Sequence, residues 1–210
     1  MNTSCLLLVL MAPGPVMAGE TVSLENSAIC VRWDAGRGTM VSFTDKATGR
    51  EWLDPAAAAP VYQIQLVDQA SVISSAGAAE VRVRKGKIDV TIEGTHGKPA
   101  DLTVTCRFWL DSDSLQLLGR IAIQSPSPCR IAEVAFPLVS LRLPFSGSGE
   151  DDRVLWPECD GTLLHDPGRN RPDRRFKYPG TASMQMMAAF DPAAAFVVAT
   201  VSAAPPSARA

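Results

Sequence analysis

The strongest constraint on the fold of this chain is a hydrophobic pattern that repeats at every second residue. Between Asp101 and Leu110 (DLTVTCRFWL), apolar side chains alternate with Thr103, Thr105 and Arg107. This period indicates a β-strand with one buried and one solvated face. The same alternation, or a short apolar run between turn residues, predicts strands at Ile29–Asp34, Thr39–Thr44, Val61–Val67, Glu80–Arg84, Lys87–Glu93, Leu115–Ile123, Ile131–Leu138, Met184–Phe190 and Phe196–Val201.

No helix is predicted, because the alanine-rich patches Ala56–Ala59 and Ala193–Ala195 adjoin prolines and are too short. Many short strands without crossover helices favour antiparallel pairing, since parallel neighbours need long connections. We therefore predict an all-β protein, a large antiparallel β-sandwich. The segments Asp34–Gly38 (DAGRG) and Asp45–Gly49 (DKATG) are predicted turns on either side of a strand in an early hairpin.

The composition suits a globular protein and argues against two classes of partner. The chain has 210 residues, of which 46% are hydrophobic, and 20 basic against 22 acidic residues give a net charge of −2. Without a net positive field, nucleic acid is not predicted as a partner. No stretch reaches about 18 consecutive apolar residues, so no membrane span is predicted.

The amino terminus has the pattern of a secretory signal. The apolar run Leu6–Met11 (LLLVLM) ends at Pro13, and small residues at Val16 and Ala18 suit cleavage before Gly19. We predict a signal peptide over residues 1–18, a β-sandwich over 19–202, an unstructured tail over 203–210, and export to the periplasm or the extracellular space. The alternative is a misassigned start before an ordinary strand, because the segment before Leu6 carries no lysine or arginine.

Cysteine and histidine do not indicate a metal site. Without Cys5, four cysteines remain (Cys30, Cys106, Cys129 and Cys159), and they allow three disulfide pairings that the sequence does not distinguish. No pair has a CxxC spacing, so neither a metal nor a cofactor is predicted. Cys106 shares the apolar phase of its strand and is expected to be a buried thiol. His96 and His165 are interpreted as surface residues in turns.

Two polar segments interrupt the alternation, Pro144–Asp152 and Asp160–Tyr178. Their carboxylates could in principle provide a glycosidase pair, but no spacing distinguishes an acid from a base, so no catalytic residue is assigned and a solvated role is favoured. The carboxylates are Glu150, Asp151, Asp152, Glu158, Asp160 and Asp166. A basic run within the second segment could bind sulfate or uronate groups, or could be a solvated loop. Its members are Arg169, Arg171, Arg174, Arg175 and Lys177.

Two aromatic residues flank the second segment. Trp156 and Tyr178 are candidate platforms for stacking a sugar ring, with core packing as the alternative for the tryptophan. The residues predicted to contact carbohydrate are Trp156, Asp160, Arg171, Arg174 and Tyr178. Met184, Met186 and Ala188 alternate and are interpreted as core residues.

Two stretches carry a resemblance to a known family. The first combines Leu24-Glu25-Asn26 with the turn Asp45-Lys46-Ala47-Thr48-Gly49, and the second runs from Trp156-Pro157 through Tyr178-Pro179-Gly180 and Ser183-Met184-Gln185 to Phe196–Thr200. The first resembles the start of galactose-mutarotase-like supersandwich domains. The second resembles exported bacterial proteins of the DUF6259 family, which are glycoside-hydrolase-like. The resemblance implies a supersandwich that precedes a catalytic (β/α)8 barrel, and nothing in this chain matches the barrel.

Three hypotheses follow. The first is a non-catalytic amino-terminal sandwich of an exported glycoside-hydrolase-like protein that acts on polysaccharide or glycan, with the barrel absent from this chain. The second is a free-standing carbohydrate-binding or adhesive β-sandwich. The third, a mutarotase-type epimerase, is disfavoured because such an enzyme needs a histidine and a glutamate on a sheet face, whereas both histidines are predicted in turns.

Overall fold

The computed structural model describes residues 20–67, 71–98, 100–111, 114–158, 161–170 and 186–199. Within these ranges the chain forms fourteen β-strands and two short 3₁₀ turns, at Pro55–Ala57 and Ser75–Gly77. The strands are β1 (Thr21–Glu25), β2 (Ile29–Asp34), β3 (Met40–Asp45), β4 (Gln63–Leu66), β5 (Val72–Ser74), β6 (Glu80–Lys85), β7 (Asp89–His96), β8 (Leu102–Leu110), β9 (Leu117–Gln124), β10 (Ile131–Ala135), β11 (Arg153–Trp156), β12 (Thr162–His165), β13 (Met186–Phe190) and β14 (Ala195–Ala199).

The strands form four antiparallel sheets. Their orders are β1-β2-β3 (sheet I), β10-β4-β5 (sheet II), β6-β7-β8-β9 (sheet III) and β12-β11-β13-β14 (sheet IV). The prediction of an all-β, antiparallel sandwich is confirmed. No helix among the described residues is long and apolar enough to cross a membrane.

The core lies between sheet III and the three-stranded sheets. One cluster of buried apolar side chains includes residues from all four sheets. Trp33 of β2 packs against Phe108 of β8 with ring centroids 5.4 Å apart, and Phe136, which follows β10, lies 5.6 Å from the same phenylalanine. Cys106 is fully buried in this cluster as a free thiol, as its phase predicted.

Sheet IV joins the core through sheet I. Phe43 of β3 meets Phe196 of β14 edge to face, with centroids 5.2 Å apart, and the Trp52 ring lies 5.7 Å from that of Phe196. Edge-to-face aromatic contacts of this kind add about 0.5–1.5 kcal/mol to the burial itself. The sheet is therefore anchored to the hairpin near the amino terminus.

The two predicted turns have the expected chemistry. The Asp34 carboxylate accepts the backbone N–H groups of Gly36 and Arg37 at 2.9 Å, and Gly38 takes a φ of +63°. Gly49 closes the second turn with a φ of +70°. Both glycines occupy the left-handed region, where a Cβ atom is unfavourable.

β11 and β12 were not predicted as strands, and β12 belongs to a segment interpreted as a loop. β12 lies inside Asp160–Tyr178, and β11 lies between the two polar segments. Each has four residues, which is too short for alternation to stand out from neighbouring prolines, glycines and charges. The predicted signal peptide and the predicted carboxyl-terminal tail lie outside the described residues.

Candidate functional site

The predicted carbohydrate platform is not exposed at Trp156. This residue ends β11 and is 3% exposed within the core cluster, so core packing describes it and the expectation of an open stacking surface is corrected there. Asp160, Arg171, Arg174 and Tyr178 lie outside the described residues. Cys159, Arg175, Lys177 and Met184 do so as well.

The most connected group of charges instead joins Arg50 to Asp191. Asp191 immediately follows β13, and its carboxylate accepts the backbone N–H groups of Ala193 and Ala194 at 2.9 Å. Arg50 approaches the same carboxylate with both terminal nitrogens, each 3.1 Å from an oxygen. The guanidinium carbon lies 5.1 Å from the centre of the Trp52 ring. This arginine lies over the Trp52 ring, donates one hydrogen bond to Oδ1 and forms an ion pair with Oδ2, and so links the β13–β14 turn to the segment that follows β3.

Burial alone would raise the pKa of Asp191, but its donors reverse the effect. Hydrogen bonds from the Arg50 and Ser146 side chains and from the two backbone N–H groups hold its pKa well below the ordinary value. Each of these donors favours the charged form of the carboxyl. Asp191 is therefore ionised throughout the neutral range.

Asp152 lies beside this pair and titrates in the opposite direction. It is 1% exposed and accepts the backbone N–H of Phe145 at 2.9 Å. Its other oxygen is buried and accepts no hydrogen bond from the described residues. Burial raises the pKa of Asp152, and the carboxylates of Asp191 and Asp166 raise it further.

Two carboxyls with pKa values moved in opposite directions are the usual arrangement of an acid and a base. Here, however, neither group is open to a substrate, because the two residues are 1% and 5% exposed. Asp191 Oδ1 already accepts hydrogen bonds from Arg50, Ala193 and Ala194, and the buried Oδ2 forms an ion pair with Arg50 at 3.1 Å. The geometry indicates that this group of charges links sheet I to sheet IV, and we assign no catalytic role to Asp152 or Asp191.

The sequence provided only part of this group. Asp152 and Asp166 belong to the predicted carboxylate set, and their backbones are joined by a hydrogen bond of 3.0 Å from Asp166 N–H to the Asp152 carbonyl. Asp191 and Arg50 were not singled out for chemistry. The solvated role fits Asp151, whose side chain is 77% exposed, and is wrong for Asp152.

A second buried polar pair corrects the interpretation of His96. This residue ends β7, is 6% exposed, and its Nε2 lies 2.7 Å from the Tyr62 hydroxyl. Burial lowers the pKa of His96 and raises that of Tyr62. His165 ends β12 and is exposed, as predicted, although it lies in a strand and not in a turn.

Metal-binding chemistry finds no support in the described part of the chain. No group of three or more histidine, cysteine, aspartate or glutamate side chains in these ranges is placed to hold a metal ion. Cys30, Cys106 and Cys129 are free thiols, so none of the three possible pairings among them is formed.

The outer faces of the two four-stranded sheets differ in character. On sheet III the face away from the core carries threonine, arginine and acidic side chains. Sheet IV has an apolar inner face, and its outer face is apolar except for Arg153 and His165. Its inner face supplies Val154, Trp156, Met187 and Ala189 to the core cluster.

The outer face of sheet IV is crossed by one continuous apolar row. The strand register aligns Leu163, Leu155, Ala188 and Val197 directly across all four strands. Leu163 and Val197, on the two edge strands, are 43% and 51% exposed. The neighbouring row on this face consists of His165, Arg153, Phe190 and Ala195.

No protein-family model matches the chain, and no curated protein is significantly similar to it.

Proposed function

We propose that this chain is a non-catalytic β-sandwich of an exported, glycan-directed, glycoside-hydrolase-like protein, in which it supports a separate catalytic domain. The observation that carries the proposal is the apolar outer face of sheet IV. A sheet that is mainly apolar on both faces is typical of a layer buried on both sides. Contiguous apolar surface of this kind marks an interface with another polypeptide.

The proposed occupant of this face is the catalytic domain itself, through the apolar side of its outer helices. The exposed Leu163 and Val197 lie on the two edge strands of sheet IV, β12 and β14, where a neighbouring domain can approach. Within this row Ala188 is 8% exposed, so the exposed apolar surface lies at Leu163 and Val197 on the two edge strands. Charged side chains on this face are confined to the row of Arg153 and His165, so the occupant is expected to be apolar opposite Leu163 and Val197.

The buried carboxyls support the non-catalytic part of the proposal. Asp152 and Asp191, neighbouring carboxyls whose pKa values are moved in opposite directions, are both closed to solvent. The purified chain is therefore expected to hydrolyse neither aryl glycosides nor polysaccharides. Turnover that stays at constant specific activity through purification would overturn the non-catalytic assignment.

The docking face is tested by its accessibility to an apolar dye. Purified protein should enhance the fluorescence of anilinonaphthalene sulfonate, and Leu163→Asp or Val197→Asp should reduce the enhancement by more than half. Gln124→Asp, at an exposed position on the polar face of sheet III, is the matched control and should leave the signal unchanged. Thermal unfolding of each variant checks that the fold is retained.

Two outcomes would contradict the assignment of this face. Dye fluorescence that is unaffected by either sheet IV variant would show that the face is already covered. A dimer in multi-angle light scattering that Val197→Asp dissociates would assign the face to a second copy of the chain and not to a catalytic domain.

A further inference from the structure

The outer face of sheet III places arginines from three strands in one row. The register aligns Arg84 of β6, Thr91 of β7, Arg107 of β8 and Arg120 of β9 directly across the sheet. The next row consists of Arg82, Glu93, Thr105 and Ala122. Side chains directly opposite in an antiparallel pair have Cβ atoms about 5 Å apart, so the groups of each row are close neighbours.

Three of the four arginines are neutralised by carboxylates on the same face. Arg82 donates to Glu80 through two nitrogens at 2.7 and 3.0 Å, and Arg84 lies 3.7 Å from Glu93. Arg107 pairs closely with Asp89. Arg120 forms no ion pair with any carboxylate among the described residues, and it is exposed.

Arg107 and Arg120 form a like-charge pair across β8 and β9. Such a pair destabilises a sheet unless an anion lies between the two groups. Asp89 offsets only one of the two charges, so this corner of the face keeps one excess positive charge. Beside it, the small side chain of Ala122 opposite Thr105 leaves open surface next to the two guanidinium groups.

We propose that Arg107 and Arg120 bind the carboxylate or sulfate group of an acidic polysaccharide on the outer face of sheet III. Planar guanidinium groups match the geometry of both anions, and two neighbouring guanidinium groups can together bind one carboxylate or sulfate. The Thr105 hydroxyl is placed to hydrogen-bond the sugar next to the anion. The site lies on a different sheet from the apolar docking face and does not depend on it.

Binding is tested with polygalacturonate as the carboxylate probe, dextran sulfate as the sulfate probe, and neutral dextran as the uncharged control. Affinity electrophoresis or calorimetry at low salt should show binding to at least one acidic polymer and none to dextran. Arg120→Gln should weaken that binding about 10-fold, because it removes a charge-assisted hydrogen bond. Which of the two acidic polymers responds identifies the anion.

Arg82→Gln is the matched control, because Arg82 lies on the same face but is neutralised by Glu80 and Glu93. It should change the affinity by less than 2-fold. Equal weakening by Arg82→Gln and Arg120→Gln would show a diffuse charge effect and overturn the site. So would an absence of binding to both acidic polymers, or equally strong binding of single-stranded DNA.

Discussion

At the residue scale, the behaviour of Asp191 and Asp152 follows from which hydrogen-bond donors surround each carboxyl. Asp191 has the Arg50 guanidinium and two backbone N–H groups. Asp152 has one backbone N–H and is otherwise buried near other carboxylates. The same residue type in one cluster is therefore stabilised in its charged form at one position and disfavoured in that form at the other.

The two carboxyls predict opposite effects for the same substitution. Asp191→Asn should lower the free energy of unfolding by about 3 kcal/mol at pH 7, because it leaves the largely buried Arg50 without its counter-charge. Asp152→Asn keeps an acceptor for the Phe145 N–H and removes a disfavoured charge, so it should be neutral or stabilising at pH 7. Urea unfolding of the two variants measures the difference.

The pH dependence provides the check for Asp152. Its folded-state pKa is raised above the ordinary 3.8, so its contribution to stability is present below pH 3.8 and is lost as the pH rises through the folded-state value. The gap between Asp152→Asn and the parent protein should therefore open with increasing pH. A gap that closes with increasing pH would contradict this assignment.

His96 predicts a loss of stability in acid. Burial lowers its folded-state pKa below the ordinary 6.5, so its contribution is fully present above pH 6.5 and is lost as the pH falls through the folded-state value. The loss should reach at most about 1.4 kcal/mol per pH unit. The neighbouring Tyr62 and Cys106 have raised pKa values and stay neutral over this range.

His96→Gln isolates this effect. The variant does not titrate between pH 5 and 8, so its stability profile from pH 7.5 to 5.5 should be flatter than that of the parent protein in thermal or urea unfolding. Parallel profiles for the two proteins would show that His96 is not the titrating group.

At the element scale, the β2–β3 connection shows why one glycine of the early hairpin cannot be replaced. A Cβ atom at Gly38 would lie 2.7 Å from Ile92 Cγ2 and 2.9 Å from Val81 Cγ1. Sheet III therefore packs directly against this turn. At Gly49, which has a similar positive φ, a Cβ atom would meet nothing within 4 Å.

Gly38→Ala and Gly49→Ala form a matched pair. Both carry the left-handed backbone cost of about 1–2 kcal/mol, and only Gly38→Ala adds a clash with sheet III. We expect Gly38→Ala to be clearly the more destabilising of the two in urea unfolding. Equal losses of unfolding free energy in the two variants would mean that Ile92 and Val81 move away from the added methyl group at no cost in stability.

The strands differ in how well their sequences predicted them. β8 alternates from Leu102 to Phe108, so its extent was predicted to within one residue and its faces correctly as far as Phe108, after which Trp109 is also buried. β11 and β12 each have four residues, and pairing with neighbours makes them strands. β13 (MMAAF) and β14 (AFVVA) are apolar without alternation, which is consistent with a sheet that is mainly apolar on both faces.

At the scale of the whole molecule, the sequence by itself determined the all-β class, the antiparallel pairing, most strands and the two aspartate-glycine turns. These features depend on side-chain period and on turn residues only a few positions apart, so they can be read locally. The burial of Cys106 followed from the same period.

Only the tertiary structure decided which polar groups meet. Arg50 and Asp191 are 141 positions apart, and Tyr62 and His96 are 34 apart, so no local pattern links them. The burial of Trp156 and the like-charge pair of Arg107 and Arg120 likewise depend on strand order and register. The two-residue hydrophobic period determines which face of a strand a side chain occupies. Which side chains lie next to it on that face depends on strand order and register, which exist only in the folded chain.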